Sequence, residues 1–462
     1  MGEKRANDEL RRLLNEIGWS PYELARQVNR VVTPDRRVHA KTPFAWRDKG
    51  TVPRDPLPAV IAGILTEARG QTVTADQLWP GTGTHGAVWL AASTDVAAGT
   101  WPVADTIELL NECTAGVDAR TYFAVSGNEL ISVAASWASM SQPLISQRRH
   151  ASRPVHVTPE FVEHLEQNLA QLRRLDDGCG GELVLRTITH QLSLAIDLLN
   201  EAQYRSAMGQ RLLSVAGQMA QLAGWLAFDL GRHGFAQRMY LLGLRAAAGA
   251  GDRQLGGLIL SCIAFQQTWR ERPHDAVAIM TSVNRGLRHT ATPRVAALIA
   301  MREARAFATA GMNRETSHAL DRAWAALDQG PREDDPSWTY WMDETVLISE
   351  AGRCHLHLGD TVTAEAQLSR GLAQLGANAS RDRVLYGLSL ALTHARGNAG
   401  RHDIELACHE ATQVLPMLPM VGSARCRNLI AAIGAELRPH RGLTSVRDLL
   451  DNVEESAPIP TR

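Results

Sequence analysis

The run Lys41-Thr42-Pro43-Phe44-Ala45-Trp46-Arg47-Asp48-Lys49-Gly50-Thr51-Val52-Pro53-Arg54 is a short helix written with its start and its stop. Thr42 offers a capping hydroxyl, Pro43 has the fixed φ that suits a first helical turn, and Gly50 supplies a left-handed stop. A helix over 43–49 is therefore expected. The same punctuation recurs on both sides. Leu10, Leu13, Leu14 and Ile17 form an apolar stripe at i, i+3, i+4, i+7 and predict a helix over 7–17, ended by Gly18. Ser20-Pro21 opens a second helix carrying Tyr22, Leu24, Ala25 and Val28. Residues 56–67 and 74–79 supply two more. Five short helices, the third flanked by positive charge, make a helix-turn-helix layout.

The charges agree with that placement. From Arg30 to Arg54 the basic residues are Arg30, Arg36, Arg37, Lys41, Arg47, Lys49 and Arg54, against Asp35 and Asp48, on a chain of net charge -1. A local basic patch on a balanced chain is the electrostatic footprint of a phosphate backbone, so double-stranded DNA is the expected partner. Thr42, Phe44, Arg47 and Lys49 are the expected groove contacts, with Arg36, Arg37, Lys41 and Arg54 on phosphates.

The segment Trp46-x-x-x-Gly50-Thr51-Val52-Pro53-Arg54-x-Pro56-x-Pro58, followed by Val73-Thr74-x-Asp76-x-Leu78-Trp79-Pro80, carries a resemblance. It resembles the DNA-binding domain of actinomycete XRE-type (lambda-repressor-like) helix-turn-helix regulators, over residues 7–81. One departure is visible: the stretch from Arg30 to Ala40 is longer than the usual turn before the third helix. The segment Asp118-Ala119-Arg120-Thr121-Tyr122-Phe123 resembles one that follows the DNA-binding domain in the same regulators, with Ala119 breaking a pair of arginines.

At 462 residues the chain has room for two or three domains and a sizeable core. It is 45% apolar but only 5% aromatic, which favours helices over sheets. Cys113, Cys179, Cys262, Cys354, Cys408 and Cys426 lack CxxC spacing and read as small buried hydrophobes in a reducing compartment. With no signal peptide or long apolar run, the expected location is the cytoplasm. Gly81-Thr-Gly83-Thr-His85-Gly86 spells GxGxxG but follows Trp79-Pro80 instead of a strand, so it reads as a hinge, and no cofactor is expected.

From residue 158 the pattern changes to amphipathic helices with regular turns. Leu230-Gly231, Arg272-Pro273, Ala310-Gly311, Leu358-Gly359 and Ala399-Gly400 each close one helix and open another, at spacings near forty residues. A period near forty of helix, tight turn and helix is a solenoid signature, and the segments resemble tetratricopeptide (TPR) repeats, whose usual period is about 34 residues. The small residues Ala220, Ala223, Gly224 and Ala227 let neighbouring helices approach closely. The expected organisation is all-α: a helix-turn-helix domain over 1–80, a connector over 81–157, a TPR-like α-solenoid over 158–453 and a tail over 454–462.

Such repeats curve around a concave surface. The large polar and aromatic residues Gln218, Gln221, Trp225, Gln266, Trp269, Arg302 and Arg305 lie on helices otherwise rich in small apolar ones, and they are the expected ligand contacts. Trp338, Tyr340 and Trp341 are read as core packing, with the lining of a ligand groove as the alternative. No GxxxxGK, GxSxG or HExxH occurs, and Cys354, His355 and His357 point different ways on a helix, so neither an enzyme nor a metal site is expected. What the resemblance implies is a transcriptional regulator of development or antibiotic production. Its repeat domain would form a homodimer and sense a peptide, small molecule or partner protein. The alternative is a protein-interaction scaffold whose helix-turn-helix is vestigial.

Overall fold

A computed structural model describes residues 6–32, 37–54, 57–69, 73–81, 101–114, 122–140, 157–178, 181–201, 206–376, 379–397 and 402–456. Among these residues every regular element is a helix, so the chain is all-α there. The first five are α1 (Asp8–Glu16), α2 (Pro21–Val31), α3 (Thr42–Lys49), α4 (Leu57–Arg69) and α5 (Ala75–Leu78). Side chains close open N–H groups at the start of three of them. Asn7 accepts from Leu10 N, Ser20 accepts from Glu23 N, and Thr74 and Gln77 cap each other's backbones reciprocally. Helix α3 begins one residue early, with Lys41 at the cap, and stops at Gly50, whose φ is 58°. Leu10, Leu14, Leu24, Val28, Trp46, Ile61 and Leu65 fill the space between these helices.

The segment expected as a connector contributes two helices, α6 (Val103–Thr114) and α7 (Asn128–Ser139). Their apolar faces join the same core as the helices that follow. Trp137 is almost fully buried there; the Arg253 guanidinium lies 4.5 Å from its ring and donates to its carbonyl at 3.0 Å. These residues therefore belong with the C-terminal helices. Sequence reading missed this because periodicity tells which residues of α6 and α7 share a face but not which distant helices that face meets.

The C-terminal helices are α8 (Pro159–Gly178), α9 (Gly181–Glu201), α10 (Ser206–Asp229), α11 (His233–Ala250), α12 (Arg253–Trp269) and α13 (Pro273–Leu287). After them come α14 (Pro293–Thr309), α15 (Asn313–Leu327), α16 (Glu344–Leu358), α17 (Thr361–Gln374), α18 (Ser380–Arg396) and α19 (Ile404–Val414). The last are α20 (Leu418–Val421), α21 (Ala424–Leu437) and α22 (Thr444–Ser456). The final helix thus runs past Val453, into the expected tail.

Consecutive helices pair: α10 with α11, α12 with α13, α14 with α15, α16 with α17 and α18 with α19. Four of the five expected turns fall in described residues and share one geometry. Arg232 N donates to Ala227 O at 2.8 Å, Arg272 N to Gln267 O at 2.9 Å, Met312 N to Phe307 O at 3.0 Å, and Asp360 N to His355 O at 3.0 Å. Each is a helix terminus closed through a left-handed residue. Gly231, Gly311 and Gly359 fill that position in three of them, and Glu271, at φ 59°, fills it in the fourth. The turn expected at Gly400 lies outside the described residues.

Cys113, Cys262, Cys354, Cys408 and Cys426 are buried and free, and Cys179 lies outside the described residues. No described helix is long and apolar enough to cross a membrane.

Candidate functional site

The run of helix pairs closes on itself through buried charge. At the C-terminus of α10, Asp229 accepts from Ser423 Oγ at 2.6 Å and from Arg425 Nε at 2.7 Å. Arg381 on α18 donates to Asp176 on α8 at 2.8 Å and lies 3.9 Å from Asp229. Burial would push the Asp229 carboxyl up, but Arg425 and Arg381 outweigh it and hold the group below its ordinary range. Between these elements lies a cavity of about 110 Å³, several times the space one water needs.

Its walls come from the first helices of successive pairs: Trp225 on α10, Phe265 on α12, Arg302 on α14, Glu350 on α16 and Tyr386 on α18. Arg173 and Asp177 on α8, Trp338, Tyr340 and Trp341 before α16, and Arg425 on α21 complete it. Arg302 sits among the rings. Its guanidinium is 4.0 Å from the Phe265 centroid, 5.4 Å from Trp225 and 5.7 Å from Trp341. The Arg425 guanidinium lies 4.8 Å from the Trp225 centroid.

Most lining charges have partners. Glu350 accepts from Arg353 Nη1 at 2.7 Å, and although burial would raise its carboxyl, Arg353, Arg305 and Arg302 hold it at about 2. Tyr340 donates its hydroxyl to Asp177 at 2.5 Å. Burial dominates at Asp177 and pushes its carboxyl up to about 6. Asp382 is also pushed up by burial, against the pull of Arg381. Arg302 makes no hydrogen bond or ion pair among the described residues, its Nε is buried without a partner, and the residue is 9% exposed. An arginine has donors only, so this one offers N–H groups with no protein acceptor.

The expected ligand contacts divide. Gln221, Trp225 and Arg302 line the cavity. Gln218 stands one layer behind and accepts from Arg173 Nη1 at 3.3 Å. Gln266 donates to the His233 carbonyl at 2.9 Å, Trp269 packs edge-on against Phe265, and Arg305 is buried beside Glu350 and Arg353. None of these last three lines the cavity. Gln266 turns away because the stripe of α12 facing it runs through Leu258, Cys262 and Phe265, and residue 266 lies 100° round the helix from 265. Trp338, Tyr340 and Trp341, read from sequence as core packing with a ligand groove as the alternative, line the cavity, and Trp338 is also buried in the core. Arg173, Arg381 and Arg425 were missed; the available signal was an arginine set within an apolar helical face. Among the described residues no group of three His, Cys, Asp or Glu is arranged to hold a metal.

At the other end, Arg37, Lys41, Lys49 and Arg54 are exposed around α3, while Thr42, Phe44 and Arg47 are half-buried; Arg36 lies outside the described residues. Arg47 is held by its neighbour, donating to both Asp48 carboxylate oxygens at 2.7 and 2.9 Å, with its guanidinium 5.2 Å from the Phe44 ring. Phe44 in turn meets Tyr22 edge-on at 5.0 Å, which joins α3 to α2.

The two ends touch. Of residues 81–86, where a hinge was expected, all but Gly81 lie outside the described residues, but a non-helical segment at 122–126 bridges the halves. Phe123 enters the N-terminal core, in the space that a Cβ on Gly63 would occupy, 2.0 Å from the ring. Two residues on, Val125 exchanges hydrogen bonds with the Gln237 amide on α11, at 2.8 and 3.0 Å. Arg270, following α12, donates to Val125 O at 2.8 Å, to Ser126 Oγ at 2.9 Å and to Glu67 O at 3.2 Å. Arg272 donates to Ala68 O at 3.3 Å. The open carbonyls at the end of α4 are thus capped from the turn between α12 and α13.

Residues 10–78 match the family model described as the SP15 N-terminal domain. The match spans nearly all of α1 to α5 and none of the C-terminal helices. No curated protein matches the chain.

Proposed function

We propose that the chain is a DNA-binding transcriptional regulator in which α2 and α3 form a helix-turn-helix and the C-terminal helix pairs form a TPR-like sensor. The observation that carries this reading is the pairing of two features: an exposed basic set around α3, and a cavity whose Arg302 has no protein acceptor. A physical route joins them. Phe265, under Arg302, and Arg270, at the end of α4, lie on and just beyond one helix, so an occupant that shifts α12 also loads the contact with the N-terminal helices. A ligand biases such an arrangement only by its difference in affinity for the two states. Pairs of such domains read half-sites about 34–36 Å apart, so the working form is a homodimer held through residues after 160.

The resemblance to actinomycete XRE-type regulators supplies the setting of development or antibiotic production, in the cytoplasm. DNA binding is tested by titrating the full chain against genomic fragments at two salt concentrations. Arg47→Ala should cost about 1–3 kcal/mol on a preferred site and relax its sequence preference. Lys41→Ala should weaken all sequences alike and lower the salt slope by about one. Asp48→Asn, which frees Arg47 and removes a negative charge, should tighten binding. Absence of any salt-sensitive binding would leave the scaffold reading in its place.

A further inference from the structure

The acceptors around the cavity are largely committed inside the protein, whereas two of its arginines keep donors that are not. Asp176 serves Arg381, Asp177 serves Tyr340, and Glu350 serves Arg353. Against them stand the unbonded guanidinium of Arg302 and the buried, unpartnered Nη2 of Arg173, whose residue is 7% exposed. Burial draws the Arg173 guanidinium down only to about 10, so it remains charged at neutral pH. A buried cation without an acceptor is costly, and a ligand anion supplies what the protein lacks. Asp382 limits how much negative charge the same space accepts, which favours a monoanion.

Size and lining narrow the class further. A volume of about 110 Å³ is somewhat below that of an apolar cavity known to hold one benzene ring, so a single ring fits it. The indoles of Trp225 and Trp341 flank Arg302 and offer flat apolar faces beside the charge. Resting on the sensor reading above, we propose that the cavity binds a small aromatic carboxylate, its carboxylate on Arg302 and its ring against Trp225 and Trp341.

The test uses the full-length chain, with tryptophan emission and calorimetry as readouts and benzoate, benzamide, acetate and inorganic phosphate as probes. Benzoate should bind at least tenfold more tightly than benzamide, which lacks the charge, and than acetate, which lacks the ring. Arg302→Met should lose benzoate binding by tenfold or more, and Trp225→Leu should weaken benzoate but not alter the weak response to acetate. Equal binding of benzoate and benzamide, tighter binding of phosphate than benzoate, or full binding by a folded Arg302→Met would overturn the assignment. A parallel DNA titration separates the two readings. DNA binding without benzoate binding defeats only the ligand class, whereas benzoate binding without DNA binding defeats only the regulator.

Discussion

The Arg302 guanidinium lies 4.0 Å from the centre of the Phe265 ring, the nearest approach of charge to aromatic face in the cavity. Such a contact is worth about 2 kcal/mol when desolvated, less than the effective cost of burying an unpaired ion. Arg302 should therefore be a net burden on folding in the absence of an occupant. Arg302→Met is expected to raise the melting temperature, by about 1–2 °C for each kcal/mol recovered in a chain of this length. Scanning calorimetry without added ligand checks this. A marked fall would show that Arg302 holds the fold together instead.

Asp177 makes the folded state pH-sensitive in a defined window. Its neighbours are Tyr340, Arg381, Asp176 and Asp382, and burial raises its carboxyl from the ordinary 3.8 to about 6. Between those values the folded chain holds a proton that the unfolded chain has released, so this group's contribution to stability falls as pH rises from about 4 to about 6. Asp177→Asn keeps an acceptor for Tyr340 and cannot ionise. Its melting temperature should match the wild type near pH 4 and exceed it above pH 6. A difference that is constant across that range would contradict the raised carboxyl.

Glu271 occupies the left-handed position that Gly231, Gly311 and Gly359 fill in the other turns, with φ 59°. A side chain there costs on the order of 1 kcal/mol. Glu271→Gly should stabilise the chain by roughly that amount, less the extra entropy glycine brings to the unfolded state. Chemical denaturation with an unchanged m-value is the measurement, and a loss of stability would indicate that the Glu271 side chain makes a contact worth more than the strain.

Gly63 has no room for a methyl group, since its Cβ would stand 2.0 Å from Phe123 Cδ2. Gly63→Ala should expel the Phe123 ring, cost about 1–3 kcal/mol and speed hydrogen exchange at residues 122–126. Adding Phe123→Ala should recover part of that loss, so the two changes are non-additive. Strict additivity would mean that the ring has another place to go.

The helices of the N-terminal unit and the four described turns were legible in sequence, because caps, helix stops and apolar periodicity act within a few residues of one another. Ser20 meets Glu23 N, and Gly359 ends the helix that Leu358 completes. Gln221, Trp225 and Arg302 were legible for a related reason: polar or bulky groups stand out on helices built from alanine and leucine. Tertiary structure alone decided the rest. It brings Asp176, Asp229, Arg381 and Arg425, separated by up to hundreds of positions, to one buried network. It turns Gln266 and Arg305 away from the cavity and places Trp338 and Trp341 on its wall. Helix periodicity says which residues share a face, but which face looks into the cavity depends on how distant helices stack, and that is set by long-range packing and charge pairing.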